Sequence, residues 1–261
     1  MSHFRPWPWP RILAHRGGGK LAPENTLAAI RRGHELGFRA IEVDARLTRD
    51  EVPVVIHDRT LERTTDGHGV VAETALADIA RLDAGCWFGP QYRGEPVPTL
   101  AATIALCRAR GIWINLEIKR APGRSARIGE VVARTAAQLY SDLLRPRDGR
   151  AENVVPQAPL LSSFGPDALL AARDAAPDLP RGLLVDDVPQ NWAAQLERLD
   201  CVSLHADHEL LTAKLARAVK DAGYWLFCYT VDDPERAREI FGWGVDALCT
   251  DRIDLIGADF A

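Results

Sequence analysis

The sequence predicts an α/β fold, a closed (β/α)8 TIM barrel with a small insertion between its second and third βα units. Short apolar runs with strand character recur along the 261 residues, mostly separated by helix-patterned segments, which implies a mainly parallel sheet. One pair of runs breaks the alternation: only "TRDE" (48–51) lies between them, too short for a helical crossover but right for a hairpin. Setting that return strand aside leaves eight βα units in roughly 250 residues, the usual size of such a barrel.

The first strand is read in "RILAHR" (11–16), followed by a glycine-rich loop and a helix in "NTLAAIRRGHELG". "AIEVDARL" (40–47) and "VPVVIHD" (52–58) form the hairpin. Residues 60–98 are too long for one crossover helix and hold pieces such as "DAGCWFGPQYRGEP"; they are expected to form an inserted subdomain, either covering the active site or serving as a structural flap. The helix-patterned segments "LAATIALCRARG" and "IGEVVARTAAQLYSDLL" flank the strand "IWINLEIK" (112–119). Further strands are "PLLSSF" (159–164), "RGLLVD" (181–186), "CVSLHA" (201–206), "YWLFCYTV" (224–231) and "DALCTD" (246–251), with a helix in "ELLTAKLARAVKDAG". Several helices close on Gly after a cationic last turn. No Pro-, Gly- or Ser-rich linker divides the chain, so residues 1–261 are read as one catalytic domain, "RPRDGRAENVVPQAP" (145–159) as a surface loop, and Trp7 and Trp9 as covering the barrel's bottom.

Hydrophobic content of 47% supports a large core, and a net charge of −4 argues against broad nucleic-acid binding. The five cysteines form no CxxC pair and are odd in number, as expected of reduced core thiols in a cytoplasmic protein. No apolar run reaches the length of a membrane span, and no membrane partner is expected. Oligomeric state is left open.

In such barrels chemistry sits at the C-terminal ends of the strands. There the sequence places His15 and Arg16, then Glu42 and Asp44, then Glu117 and Lys119, the last two pairs each sharing a side because the strand period is two. With the hairpin turn centred near Asp50 and Glu51, His57 is expected about opposite Asp44. Glu42, Asp44 and Glu117 make an all-oxygen set suited to one hard divalent cation, Mg2+ or Ca2+. Arg16 and Lys119 can hold a phosphate, and His15 and His57 can exchange protons near neutral pH. Together they suggest cleavage of a phosphate ester. Ser163, His205 and Tyr229 stand at the ends of later strands as candidate pocket residues, although each also has a plain structural reading.

The loop "AHRGGGKLAPENT" offers two nucleotide-like patterns. The Walker A pattern fails, with Ala14 at its first Gly position and Leu21 after Lys20. The dinucleotide pattern is met by Gly17, Gly19 and Ala22, with Glu42 about twenty residues on. Against it, Pro23 would interrupt the helix that such a turn must open, whereas "PENT" reads as a helix start.

"AHRGGGKLAPENTLAAI", "IEVDARLT", "PVVIHDRTLERTTDG", "NLEIK", "LLSSF" and "GVDALCTDRID" together resemble the glycerophosphodiester phosphodiesterase family, over nearly the whole chain. The resemblance implies metal-dependent hydrolysis of a small-molecule glycerophosphodiester to sn-glycerol 3-phosphate and an alcohol. It implies metal roles for Glu42, Asp44 and Glu117, acid–base roles for His15 and His57, and phosphate contacts from Arg16 and Lys119. The chain departs from the family's pattern at Tyr229 and Asp232, which bears on pocket shape. A related lysophospholipid-cleaving activity would need an apolar channel, for which Trp87 and Phe88 are the candidates, and a non-catalytic sugar-phosphate binder is the remaining class.

Overall fold

The computed structural model describes residues 6–144 and 157–260; the loop expected over 145–159 lies, but for its last three residues, outside them. The strands are β1 (Ile12–Ala14), β2 (Ala40–Leu47), β3 (Pro53–Val55), β4 (Trp113–Ile118), β5 (Leu160–Ser163), β6 (Arg181–Val185), β7 (Ser203–Asp207), β8 (Trp225–Tyr229) and β9 (Ala247–Thr250). Helices α1 (Leu27–Glu35), α2 (Leu76–Ile79), α3 (Leu100–Arg110), α4 (Ser125–Leu139), α5 (Pro166–Ala175), α6 (Trp192–Leu199), α7 (Ala213–Asp221) and α8 (Pro234–Gly242) punctuate them. Eight parallel strands close into a ring, because β1 pairs with both β9 (Ile12 opposite Leu248) and β2 (Ala14 opposite Ile41). The ninth strand, β3, lies outside the ring, antiparallel to β2.

Local chemistry explains the helix starts. Thr26, Thr99 and Thr212 each accept a backbone N–H from the first turn of α1, α3 and α7, and Pro opens α5 and α8. The dinucleotide reading fails here: α1 begins only at Leu27, and the residues after Gly18 form a separate short turn, Gly19–Leu21. Gly17 (φ 88°) and Gly19 (φ 52°) let the chain reverse tightly, and a Cβ on Gly19 would come within 2.3 Å of the Asp251 carbonyl oxygen. The glycines thus pack the loop onto the end of β9.

Alternate residues of the strands face the helices, where Val43, Ala45, Leu116, Ile118 and Leu161 join one large core. Below, Trp9 stacks on Trp113 (centroids 4.5 Å apart) and meets Trp225 edge-on, with Trp7 against all three. Trp113 and Trp225 open β4 and β8, so this cluster closes the barrel's bottom.

The hairpin register differs from expectation by one residue. Leu47 faces Pro53 and Ala45 faces Val55, and the Ile56 N–H donates to the Asp44 carbonyl, so Ile56 rather than His57 lies opposite Asp44. The turn centres on Asp50 because Thr48 Oγ1 donates to the Asp50 carboxylate and accepts the Val52 N–H, with Glu51 in the left-handed region (φ 60°). His57 therefore reaches the site from the loop beyond β3, where Arg46 Nε donates to its carbonyl (2.8 Å).

Residues 60–98 hold α2 and two short turns around a separate cluster of Leu61, Val71, Ile79, Ala84 and Val97 packed on Val54 and Ile56. Glu95 accepts the Ala28 N–H, and Tyr92 Oη donates to the Leu21 carbonyl, fastening this segment to the glycine loop and α1. No helix among the described residues is long and apolar enough to cross a membrane.

Candidate active site

Register builds the site. Glu42 lies beside Asn115, and Asp44 beside Glu117, which is itself beside Ser162, so these side chains enter the barrel as two adjacent rows. One oxygen each of Glu42, Asp44 and Glu117 lies within 4.8 Å of the others, and all three residues are at most 9% exposed. Buried carboxylates so close must be neutralised. Lys119 Nζ lies 3.2 Å from Asp44 and 2.7 Å from Glu117, and Arg16 Nε lies 3.6 Å from Asp44. Asn25 donates to Asp44 (2.7 Å) and accepts the Asp44 N–H.

This supply is uneven. Burial acts to raise Asp44, but Lys119, His57 and Arg16 outweigh it and hold the carboxyl well below the usual range. Glu42 is pushed up to about 8, by burial first and then by the charge of Asp44. Glu117 is raised for the same two reasons, with Lys119 opposing. Three buried carboxylates this close, offering oxygen donors alone, fit a hard divalent cation.

Two histidines flank the carboxylates, each oriented by an aspartate. His15 Nδ1–H donates to Asp251 (2.7 Å), leaving Nε2 at 3.7 Å from Glu42; burial acts to lower its pKa, but the Asp251 bond and the Glu42 charge raise it above the ordinary value. His57 Nδ1–H donates to Asp58 (2.7 Å), yet burial keeps this ring below the ordinary value despite the charge of Asp44. A carboxylate on Nδ1 fixes the tautomer and leaves Nε2 as the basic nitrogen. Arg16, itself left-handed (φ 50°), donates through Nη1 to Glu24 (2.7 Å) and through its backbone N–H to Glu42.

Beside the carboxylates a small well of about 40 Å3 is walled by Phe164, Leu184, Phe227 and Tyr229 on one side and by Asn115 and Ser162 on another. Asn115 Oδ1 and Ser162 Oγ are buried there without a hydrogen-bond partner in the protein. A cavity of about 340 Å3 at the opposite end is lined by Trp9, Trp113, Arg39 and Arg108, and among the described residues no carboxylate or imidazole lines it.

The other pocket candidates are distributed differently. Tyr229 lines the well, its hydroxyl donating to the Val185 carbonyl. Ser163 does not: its hydroxyl donates to the Ile118 carbonyl and accepts the Gly165 N–H, and Ser162 takes the lining position because it shares the row of Glu117. His205 is also not a pocket residue; it is 1% exposed, packs on Phe227 behind the well, and burial pushes its pKa down to about 3. Trp87 and Phe88 pair with each other edge to face (5.5 Å) and are absent from the well's lining. Asp232, the departure noted above, accepts from Lys20 and from the Asp251 N–H, so it steadies the partner of His15. Glu24, Asn25 and Arg63 are site neighbours that the sequence reading passed over as helix-start or insertion residues, although "PENT" was the available signal for the first two.

The profile of the glycerophosphoryl diester phosphodiesterase family matches residues 15–255. The chain is similar to a glycerophosphodiester phosphodiesterase of Caldanaerobacter subterraneus, with 35% identity covering 92% of this chain and 93% of that one. Among solved structures it is similar to an Oleispira antarctica phosphodiesterase in complex with the product sn-glycerol-3-phosphate (33% identity, TM-score 0.82, 93% of both chains). It is also similar to a glycerophosphodiester phosphodiesterase from Agrobacterium tumefaciens (29% identity, TM-score 0.75, 94% of this chain and 97% of that one).

Proposed function

Since the chain belongs to the glycerophosphoryl diester phosphodiesterase family and is an enzyme of that class, we propose that it releases sn-glycerol 3-phosphate and an alcohol by divalent-cation-dependent catalysis with two histidines. The observation that carries this reading is the pair of aspartate-oriented imidazoles beside a buried three-carboxylate cluster, His15 near Glu42 and His57 near Asp44. Glu42, Asp44 and Glu117 would hold the cation, which would supply Lewis-acid polarisation of a phosphoryl oxygen there. Arg16 and Lys119 orient the remaining oxygens, and Lys119 keeps its proton because Asp44 and Glu117 outweigh the effect of burial.

One histidine takes the proton of the attacking hydroxyl while the other gives a proton to the departing alcohol. With the glycerol 2-hydroxyl as attacker, the P–O bond to the alcohol breaks as the cyclic phosphate forms, and water then opens that ring with the histidine roles reversed. The well supports a glycerol end: its carbon chain meets Phe164, Leu184 and Phe227, and its hydroxyls find the unpartnered Asn115 and Ser162. The well's small volume and the placement of Trp87 and Phe88 outside its lining weigh against an acylated glycerol there. The insertion and barrel are best treated as one catalytic unit, since Tyr92 holds the loop that follows His15 and Glu95 holds the helix α1 beyond it.

The test is a coupled assay for released glycerol 3-phosphate on glycerophosphodiesters of several alcohols, with and without chelator. Metal-dependent release is expected; release unaffected by EDTA, or none from any diester, would refute the reading.

A further inference from the structure

We propose that Arg63, in the segment between β3 and α3, is a positioning residue that locks the phosphate-side Arg16 and the histidine His57 into one rigid unit. This rests on the function proposed above for those two residues. The Arg63 guanidinium uses both of its edges. Nη1 and Nη2 donate to the two oxygens of Glu24 (2.7 and 2.8 Å), while Nε and Nη2 donate to the two oxygens of Asp58 (2.5 and 3.1 Å). Each carboxylate passes the constraint on. Glu24 Oε1 also accepts from Arg16 Nη1, and Asp58 Oδ1 accepts from His57 Nδ1, both at 2.7 Å. A continuous chain, Arg16–Glu24–Arg63–Asp58–His57, therefore spans two loops that leave different strands.

Fold stability does not account for this arrangement. The Arg63 side chain is 46% exposed, and ion pairs that open to water contribute little to folding. What the doubly forked geometry supplies is orientation. A planar guanidinium grips two carboxylates in fixed planes, which a lysine ammonium cannot do. Fixing Asp58 fixes the ring plane and tautomer of His57; fixing Glu24 fixes the direction of the Arg16 guanidinium, whose Nη1 donates to it. The inserted segment thereby acts on the reaction from its first turn, without lining the well.

The experiment compares the wild-type enzyme with Arg63→Ala, Arg63→Lys and Glu24→Gln, using glycerophosphocholine and release of glycerol 3-phosphate. Arg63→Ala should raise KM, through Arg16, and lower kcat, through His57, with kcat/KM falling on the order of a hundredfold, the usual size for slight misplacement of reacting groups. Arg63→Lys should recover little, and added guanidinium ion should partly restore Arg63→Ala. Imidazole NMR gives a readout independent of turnover: the His57 Nδ1–H signal, assigned by its loss in His57→Ala, should shift or broaden in Arg63→Ala. If Arg63→Ala unfolds, Glu24→Gln keeps the test open, because it should raise KM while leaving the His57 signal in place. A wild-type enzyme that hydrolyses no glycerophosphodiester refutes the function itself. An active wild type whose Arg63→Ala variant keeps kcat and KM within twofold, with an unchanged His57 signal, overturns only the coupling.

Discussion

Lowering the pH from 8 to 5 should cost the folded protein about 2 kcal/mol through His205 alone, and His205→Leu should abolish that loss. The ring is 1% exposed, with Nε2 at 2.9 Å from Ser203 Oγ, Nδ1 unpartnered and one face on Phe227. Burial is the cause that brings its folded pKa to about 3, against an ordinary value of 6.5. The folded state therefore keeps the ring neutral through the range in which the unfolded chain takes up a proton. Its contribution is intact above pH 6.5 and is lost progressively as the pH falls from there toward 3. At pH 5 the unfolded chain holds close to one extra proton, about 1.5 pH units below its midpoint; at 1.36 kcal/mol per unit that is about 2 kcal/mol, or roughly 4–8 °C in Tm for a chain of this size. Thermal or urea unfolding of both proteins from pH 8 to 5 measures it. Other titrating groups cancel in the difference, and the unpaired Ser203 hydroxyl of the variant shifts its curve by a constant. Parallel stability–pH curves for the two proteins would refute the reasoning, since the ring would then have to protonate as easily folded as unfolded.

Other perturbations separate the parts of the site. His15→Ala and His57→Ala should each lower kcat at least about a hundredfold, with circular dichroism unchanged; near-normal turnover in both would remove the acid–base assignment. EDTA should abolish activity and Mg2+ or Ca2+ restore it, and adding the cation to chelated enzyme should raise Tm, because the Glu42, Asp44 and Glu117 cluster is relieved of its mutual repulsion. Trp9→Ala, at the opposite end, should cost about 3–5 kcal/mol in urea unfolding while KM stays unchanged; a shifted KM would show that the two ends of the barrel communicate.

The ring of eight strands and its outlying hairpin strand were legible because strand and helix periods differ and because "TRDE" is too short to cross over. The carboxylates were legible because ionisable groups inside apolar strands stand out. What failed depended on register and facing. A one-residue displacement of the turn moved Ile56 opposite Asp44, because Thr48 closes the turn through its hydroxyl, a contact invisible to apolar patterning. Adjacent Ser162 and Ser163 point to opposite faces, and only pairing with Glu117 decides which one enters the barrel. His205 packs on its register partner Phe227 and is closed off from the well, a difference that no periodicity encodes. Glu24, Asp58 and Arg63 meet through loops, whose paths the sequence does not dictate.

His15 directly follows the first strand of the ring, and the carboxylate that orients it, Asp251, directly follows the last, 236 positions away. The pair straddles the seam where β1 and β9 zip together. A chain lacking its final strand carries Glu42, Asp44, Glu117 and both imidazoles, yet not the carboxylate to which His15 Nδ1 donates. Completion of this pair and closure of the ring therefore depend on the same last stretch of chain.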